Sequence, residues 1–499
     1  MSTLWTIHSA SAQVNFADIG DFGADGTPNL NVSNLVKSWN PDFIVTTGDN
    51  NYPNGGADTI DSNIGKYYSD YIGSYTGSFG AGSASNRFFP TLGNHDWGNV
   101  VNNPAGADPY KAYFSLPGNE RYYSYAPAGS PVRFFMIDSD RNEPDSVSSH
   151  GVQGQWLKSQ MASATEPFKV VVLHHAAYSS SSNHGSHSYM QWPFKQWGAT
   201  AVLQGHDHNY ERLNIAGIPY FVDGIGGHPA LYGIGPALPG SQVTYNAKHG
   251  AMKVSATAAQ MTFQAYDVDG AQIDTFTQSA PTPNPNAVTK SFQEGAASYT
   301  GSQDTFVDDS TPTIAYGSET RATVDGSPVR HGLIRFDNIL GPGASQIPYG
   351  AQIQYANLRI VTGSDSATND QSPNLFGLHR MIADWNESST WDSLAGGVNL
   401  GTDAAATGDF IVQPEFLSYA MNFDVTSTVQ AWANNAIANR GWALFNDNGT
   451  DGWRFVTSES SGLANRPALE ITYSYIPEPA CLTAALILPL VLMRRRKQE

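Results

Sequence analysis

Five short clusters between Asp21 and His208 gather side chains that hold metal ions: Gly20-Asp21-Phe22-Gly23, Gly48-Asp49-Asn50-Asn51-Tyr52, Gly93-Asn94-His95-Asp96, His174-His175 and Gly205-His206-Asp207-His208. Carboxylate, imidazole, amide oxygen and phenolate are hard or borderline ligands, suited to iron, zinc or manganese. Glycine beside most of them lets the backbone approach closely. Taken singly, a Gly-Asp or Gly-Asn-His cluster reads as a turn, because Asp and Asn favour turns. His206-x-His208 says more, since alternate residues of an extended segment point to opposite sides and rarely both need to be histidine.

These clusters need elements to position them. Short apolar runs at Val14 to Ile19, Phe43 to Thr47, Val132 to Ile137, Lys169 to Leu173 and Thr200 to Leu203 predict strands, each followed by a polar, Gly- or His-containing turn. Trp156, Leu157 and Met161 fall at helical spacing within Gln153 to Met161. Further strands are predicted at Pro219 to Val222, Gly250 to Thr257 and Met261 to Tyr266. The alternation favours a layered α/β or α+β domain over residues 13–278. The run Ala280-Pro281-Thr282-Pro283-Asn284-Pro285-Asn286 reads as a stiff linker (279–287), and β-type alternation over 288–475 predicts an all-β sandwich.

With 499 residues the chain is long enough for two or three domains, and 40% hydrophobic against 14% charged residues describes a folded protein. A formal charge of −18 argues against nucleic acid as a partner, because no basic surface could neutralise many phosphates. The single cysteine, Cys481, excludes an intrachain disulfide and a thiolate-rich metal site. Ala10-Ser11-Ala12 has the form of a signal-peptide cleavage site, so that residues 1–12 read either as a signal-peptide remnant or as a chance triplet. The apolar run Ala480 to Met493, followed by Arg494-Arg495-Arg496-Lys497, is shorter than the ~20 residues that span a bilayer comfortably.

In order, spacing and strand-end placement, the five clusters resemble the metallophosphoesterase superfamily, and its purple acid phosphatase branch in particular. The resemblance implies an αββα sandwich of two layered sheets. Most of the superfamily begins with D-x-H; here Asp21-Phe22-Gly23 lacks the histidine, and Tyr52 follows Asp49 by three residues. Carried over by motif, Asp21, Asp49, Tyr52 and His208 would hold Fe(III). Asp49, Asn94, His174 and His206 would hold a second divalent ion (Fe, Zn or Mn), with Asp49 bridging.

Asp18 competes for the first position, but it would lie inside the strand and is expected to bond neighbouring backbone. Two such ions clamp a phosphoryl group and supply hydroxide, so no Ser or Cys nucleophile is needed. His95 is the candidate for stabilising the phosphoryl group, and His184 or His187 for protonating the leaving oxygen. The loop Ser179 to His187 resembles the substrate-side histidine loop of small purple acid phosphatases; its alternative is a solvated Ser-rich turn. His175 reads as packing, and His150, His228 and His249 as surface residues.

The second half resembles the DNRLRE-type β-sandwich module, related to carbohydrate-binding modules, through Gly332 to Asp337, Ala356 to Ile360, Phe423-Asp424-Val425-Thr426 and Arg466 to Leu469. Trp385 and Trp391 either stack on sugar rings, giving a polysaccharide partner, or are buried in the sandwich; the usual burial of Trp favours the latter. Pro477-Glu478-Pro479 with the apolar run and basic end (476–499) resembles the PEP-CTERM sorting signal. That implies bacterial export to the medium or cell surface, with transient membrane contact and an exosortase as partner. The reading that results is a metal-dependent acid phosphatase acting on phosphate monoesters. Its rivals are an extracellular phosphodiesterase or nucleotidase with the same metals, and a non-catalytic glycan-binding surface protein.

Overall fold

The structure is a computed structural model that describes residues 13–282, 284–365 and 370–475. The expected signal-peptide remnant (1–12), the sorting tail (476–499) and Pro283 of the linker lie outside the described residues. Among the described residues, no helix is long and apolar enough to cross a membrane.

Two mixed sheets face each other in the N-terminal half. The first runs in the order β13 (Gln272–Ser279), β12 (Gln260–Asp267), β11 (Gly250–Ala256), β1 (Val14–Ile19), β2 (Phe43–Thr46), β3 (Phe88–Pro90). The second runs β10 (Ser241–Tyr245), β8 (Tyr210–Ile215), β9 (Ile218–Asp223), β7 (Ala201–Gly205), β6 (Phe168–His175), β5 (Val132–Met136), β4 (Tyr123–Tyr125). β1, β2 and β3 are parallel, as are β5, β6, β7 and β9.

Strands buried on both faces read as continuous apolar runs, and that is why Phe168–His175 carries Val170, Val171, Val172 and Leu173 in succession. Alternate residues divide between layers. Phe16, Phe43 and Val45 meet Phe134, Val170 and Leu203 between the sheets. Ala17, Ile19 and Ile44 face outward to Val32 and Val36 of helix Thr27–Ser38. Val171 and Val202 pack on Leu157 and Met161 of helix Val152–Ser163. The expected αββα layering is therefore present.

The second half pairs antiparallel strands around a main core that includes Trp432, Trp442 and Trp453, with a smaller cluster around Leu333, Met381 and Trp385. One sheet joins the strands Ala287–Gln293, Ala468–Ser474, Gln352–Val361 and Ala420–Asp424. The facing sheet is built on Val329–Phe336 and Trp442–Asn446. Trp385 is 4% exposed and its Nε1 donates to the Arg440 carbonyl at 2.8 Å. Trp391 is half-buried and packs beside His331, so burial is the reading that holds for Trp385.

The two halves touch closely. Ala420 N donates to Ser148 Oγ at 2.9 Å, Asn422 Nδ2 to Ser149 Oγ at 3.0 Å, and Lys158 pairs with Glu470 at 2.8 Å.

Candidate metal centre

The C-terminal ends of β1, β2, β3, β6 and β7 come together at one edge of the sandwich, which is where open α/β sheets place their ligands. Backbone strain marks the same spot: Asp21 (φ 54°), Asp49 (φ 54°) and His206 (φ 72°) are non-glycine residues in the left-handed region, a conformation that persists at functional sites because the surroundings enforce it. Two glycines make the crowding feasible. A Cβ on Gly48 would sit 2.6 Å from His174 Nδ1, and one on Gly93 would sit 2.2 Å from Asp49 Oδ1.

Seven residues singled out in the sequence converge in two groups sharing one carboxylate. In the first, Tyr52 Oη lies 3.0 Å from Asp49 Oδ2, 3.2 Å from His208 Nε2 and 3.3 Å from Asp21 Oδ1. In the second, His174 Nε2 lies 3.0 Å from Asn94 Oδ1, 3.1 Å from His206 Nδ1 and 3.4 Å from Asp49 Oδ2.

The far sides of two of the rings are tied down, which fixes the atom facing inward. His174 Nδ1 donates to the Thr47 carbonyl at 2.8 Å and His208 Nδ1 to that of Ala230 at 2.9 Å. Asn94 Nδ2 donates to Asn99 Oδ1 at 3.0 Å, leaving its own Oδ1 toward His174. Asp96 supports the cluster from behind, its Oδ2 accepting Gly93 N and Asn50 Nδ2, each at 2.8 Å.

The electrostatics are those of a cation site. Burial pushes the Asp49 carboxyl up, but His174 and His95 more than reverse this and hold it well below the usual carboxylate range. Burial pushes His174 down, while Asp49 and then Asp21 lift it to about 10, so that without metal a proton takes a cation's place. His206 is depressed by burial and by the other histidines around it. Burial and the carboxylates of Asp49 and Asp21 raise the Tyr52 phenol, so its ionisation needs a further positive charge. Carboxylates, imidazoles, an amide oxygen and a phenol, all buried or turned inward, fit a pair of borderline-hard ions.

His95 sits at the rim with its side chain 23% exposed and Nε2 3.9 Å from Asp49 Oδ2. His184 stacks on His206 with ring centres 4.0 Å apart. His187 lies 5.1 Å from the His206 ring, its Nε2 buried without a hydrogen-bond partner among the described residues. Burial, then His184 and His174, lower the His187 imidazole to about 3. The loop carrying both is anchored: Ser180 N and Oγ each donate to Glu211 at 2.7 Å, and Asp207 accepts His184 N and Gly185 N at 3.2 and 3.1 Å. The loop is therefore anchored at its base, while Ser182, Asn183 and His184 at its tip are exposed. His175 packs against His187 and His206, with Nδ1 3.0 Å from Ser139 Oγ.

Three surface assignments need correction. His228 stacks against Tyr52 at 4.7 Å and His208 at 4.2 Å; its signal was Gly226-Gly227 just past the strand ending at Asp223, the pattern of the other clusters. His249 is half-buried and bonds the His228 carbonyl at 2.8 Å. His150, paired with Ser148 at 2.7 Å, lies at the join between the halves. Tyr232, stacked on His208 at 3.9 Å, had no sequence signal. Asp18 is inside β1 as expected; burial and the Asp223 carboxylate raise it, opposed by the neighbouring Ile19 backbone N–H.

Residues 14–210 match the family model for calcineurin-like phosphoesterases. The N-terminal half of the chain carries a calcineurin-like metallophosphoesterase domain. Residues 295–473 match carbohydrate-binding module family 96. Human tartrate-resistant acid phosphatase type 5 is 25% identical over 248 residues, 44% of this chain and 74% of its own. Among solved structures, GAP50, the anchor in the inner membrane complex of Plasmodium, aligns at TM-score 0.43 and 21% identity, over 55% of this chain and 90% of its own. Purple acid phosphatase PPD1 from yellow lupin seeds aligns at TM-score 0.43 and 17% identity, over 55% and 57%. The metallophosphoesterase domain thus has its ligand-type side chains within the matched segment.

Proposed function

We propose that the chain is a phosphomonoesterase with a dinuclear metal centre. Asp21, Asp49, Tyr52 and His208 would hold one ion, Fe(III), and Asp49, Asn94, His174 and His206 a second, divalent one. The observation that carries this is the shared carboxylate: Asp49 Oδ2 lies 3.0 Å from Tyr52 Oη and 3.4 Å from His174 Nε2. When bound, such a pair polarises phosphoryl oxygens and makes hydroxide available near neutral pH.

The protein side chains then have distinct tasks. His95, at the rim beside Asp49, donates a hydrogen bond to the transferring phosphoryl group. His184 is exposed and stacked on His206, so it reaches the leaving oxygen and gives it a proton. His187, held neutral above pH 4 by its depressed pKa of about 3, offers a neutral N–H or lone pair instead.

Secretion or cell-surface display in a bacterium is part of the same proposal, supported by the form of the two chain ends. The direct test of substrate class compares p-nitrophenyl phosphate with bis(p-nitrophenyl) phosphate on the metal-loaded chain. Monoester turnover well above diester turnover supports the reading. The reverse order would replace it with a phosphodiesterase.

A further inference from the structure

The β domain reaches into the catalytic edge. The Oγ of Ser188, next after His187, donates to the Gln413 carbonyl at 2.7 Å. Phe416 packs edge-on against Tyr189 at 4.9 Å, and the Arg141 guanidinium lies 4.1 Å from the centre of the Phe416 ring. Arg141 follows Asp140 just past β5, close enough for its charge to lower both His175 and His187. Beyond this cation–π contact, no hydrogen bond or ion pair occupies its guanidinium among the described residues.

Beside it opens a cavity of about 340 Å³, within the range of small-molecule sites, lined by Arg141, Gln371, Ser372, Glu415, Phe416 and Asp451. The β-domain loops that wall it are stapled together, Ser372 N donating to the Pro414 carbonyl at 2.8 Å and Gln413 Nε2 to that of Pro373 at 2.5 Å. On the other flank, Asn142 holds the loop after the Asn94 cluster by accepting from Asn103 N and donating to the Val100 carbonyl, both at 2.8 Å. That loop presents Val100 (57% exposed) and Val101 (64% exposed).

We infer that this interdomain cavity is the leaving-group subsite of the metal centre and that its occupant is a saccharide, making the chain a phosphatase of phosphorylated sugars. The inference rests on the phosphatase reading above. Phe416, one wall of the subsite, packs on Tyr189 two residues after His187, which puts the cavity on the side from which the leaving oxygen is protonated. Its lining offers the Arg141 guanidinium, the Gln371 amide and the Glu415 carboxylate, which pair with vicinal hydroxyls. A second phosphate would meet the Glu415 carboxylate beside the one arginine of the lining. All of its lining except Arg141 comes from the half that matches carbohydrate-binding module family 96. The β domain therefore selects the substrate of its neighbour rather than serving as a separate anchor.

The test uses the full metal-loaded chain and measures kcat/KM for glucose 6-phosphate, ethyl phosphate and a nucleoside 5′-diphosphate. The wild type is expected to prefer the sugar phosphate over ethyl phosphate, and Arg141→Ala and Glu415→Ala to reduce that ratio roughly tenfold or more, the worth of a charged hydrogen bond. A ratio of one, or a preference untouched by both variants, overturns the subsite. Preference for the diphosphate that Arg141→Ala abolishes overturns the saccharide assignment. If the chain hydrolyses none of the three esters, the phosphatase reading fails. The subsite is then judged by calorimetric titration with a neutral disaccharide: binding weakened by Arg141→Ala supports it, and no binding overturns it.

Discussion

Replacing Asp49 by Asn removes a charge and keeps the shape, which isolates the electrostatics of the centre before any metal is added. His174 stands at about 10 against an ordinary 6.5, and 3.5 units at 1.36 kcal/mol each give about 5 kcal/mol of folding stability. Because the folded pKa is raised, that stability is fully present below pH 6.5 and is lost as the pH climbs toward 10. Between pH 6 and 9 it falls by about 3 kcal/mol. The Asp49 carboxyl is depressed, so its own pH dependence lies below pH 4, outside this window, and reports the same pair from the other side. Urea unfolding of the rigorously metal-free chain across pH 6 to 9 is the assay. Wild type should lose about 3 kcal/mol more than Asp49→Asn over this range. Parallel profiles would refute the claim that Asp49 and His174 form a charged pair.

Tyr52→Phe should remove the visible band expected of the ferric-loaded chain and weaken its iron retention, as read by absorption spectroscopy and metal analysis after dialysis. His184→Ala should slow ethyl phosphate hydrolysis more than p-nitrophenyl phosphate hydrolysis, by about 10²-fold on the poorer leaving group; equal losses would take the proton donor's role from His184. Phe416→Ala removes a partly buried ring from between Tyr189, Tyr419 and Arg141 and should cost about 1–2 kcal/mol in urea unfolding, with a lowered kcat if the β domain holds the histidine loop in place.

Much of the site was legible because its ligands sit one or two residues past apolar runs, beside glycine, where side-chain chemistry and turn geometry coincide. Gly48-Asp49 and Gly205-His206 are of this kind. His228 fitted the pattern at Gly227 but lacked a second polar neighbour, and Tyr232 reaches the site only because the chain folds back after β9. The long strands were visible as β-branched and aromatic runs, while Phe88–Pro90 is too short for periodicity to show. The strand expected over Lys169 to Leu173 runs from Phe168 through His175, because His175 still pairs with Gly205 of β7, a backbone contact that hydropathy does not register. Nothing in the linear sequence showed that residues 413–416 would touch Ser188 and Tyr189, because that contact joins positions more than two hundred residues apart.

The central claim is that Asp49 is shared by two ions and that both are needed. The chelated chain should be titrated with iron and zinc while bound metal per chain and p-nitrophenyl phosphate hydrolysis are followed together. The account predicts two ions per chain and activity that appears only as the second site fills. A single bound ion at full activity, or hydrolysis by the verified metal-free chain, would contradict it.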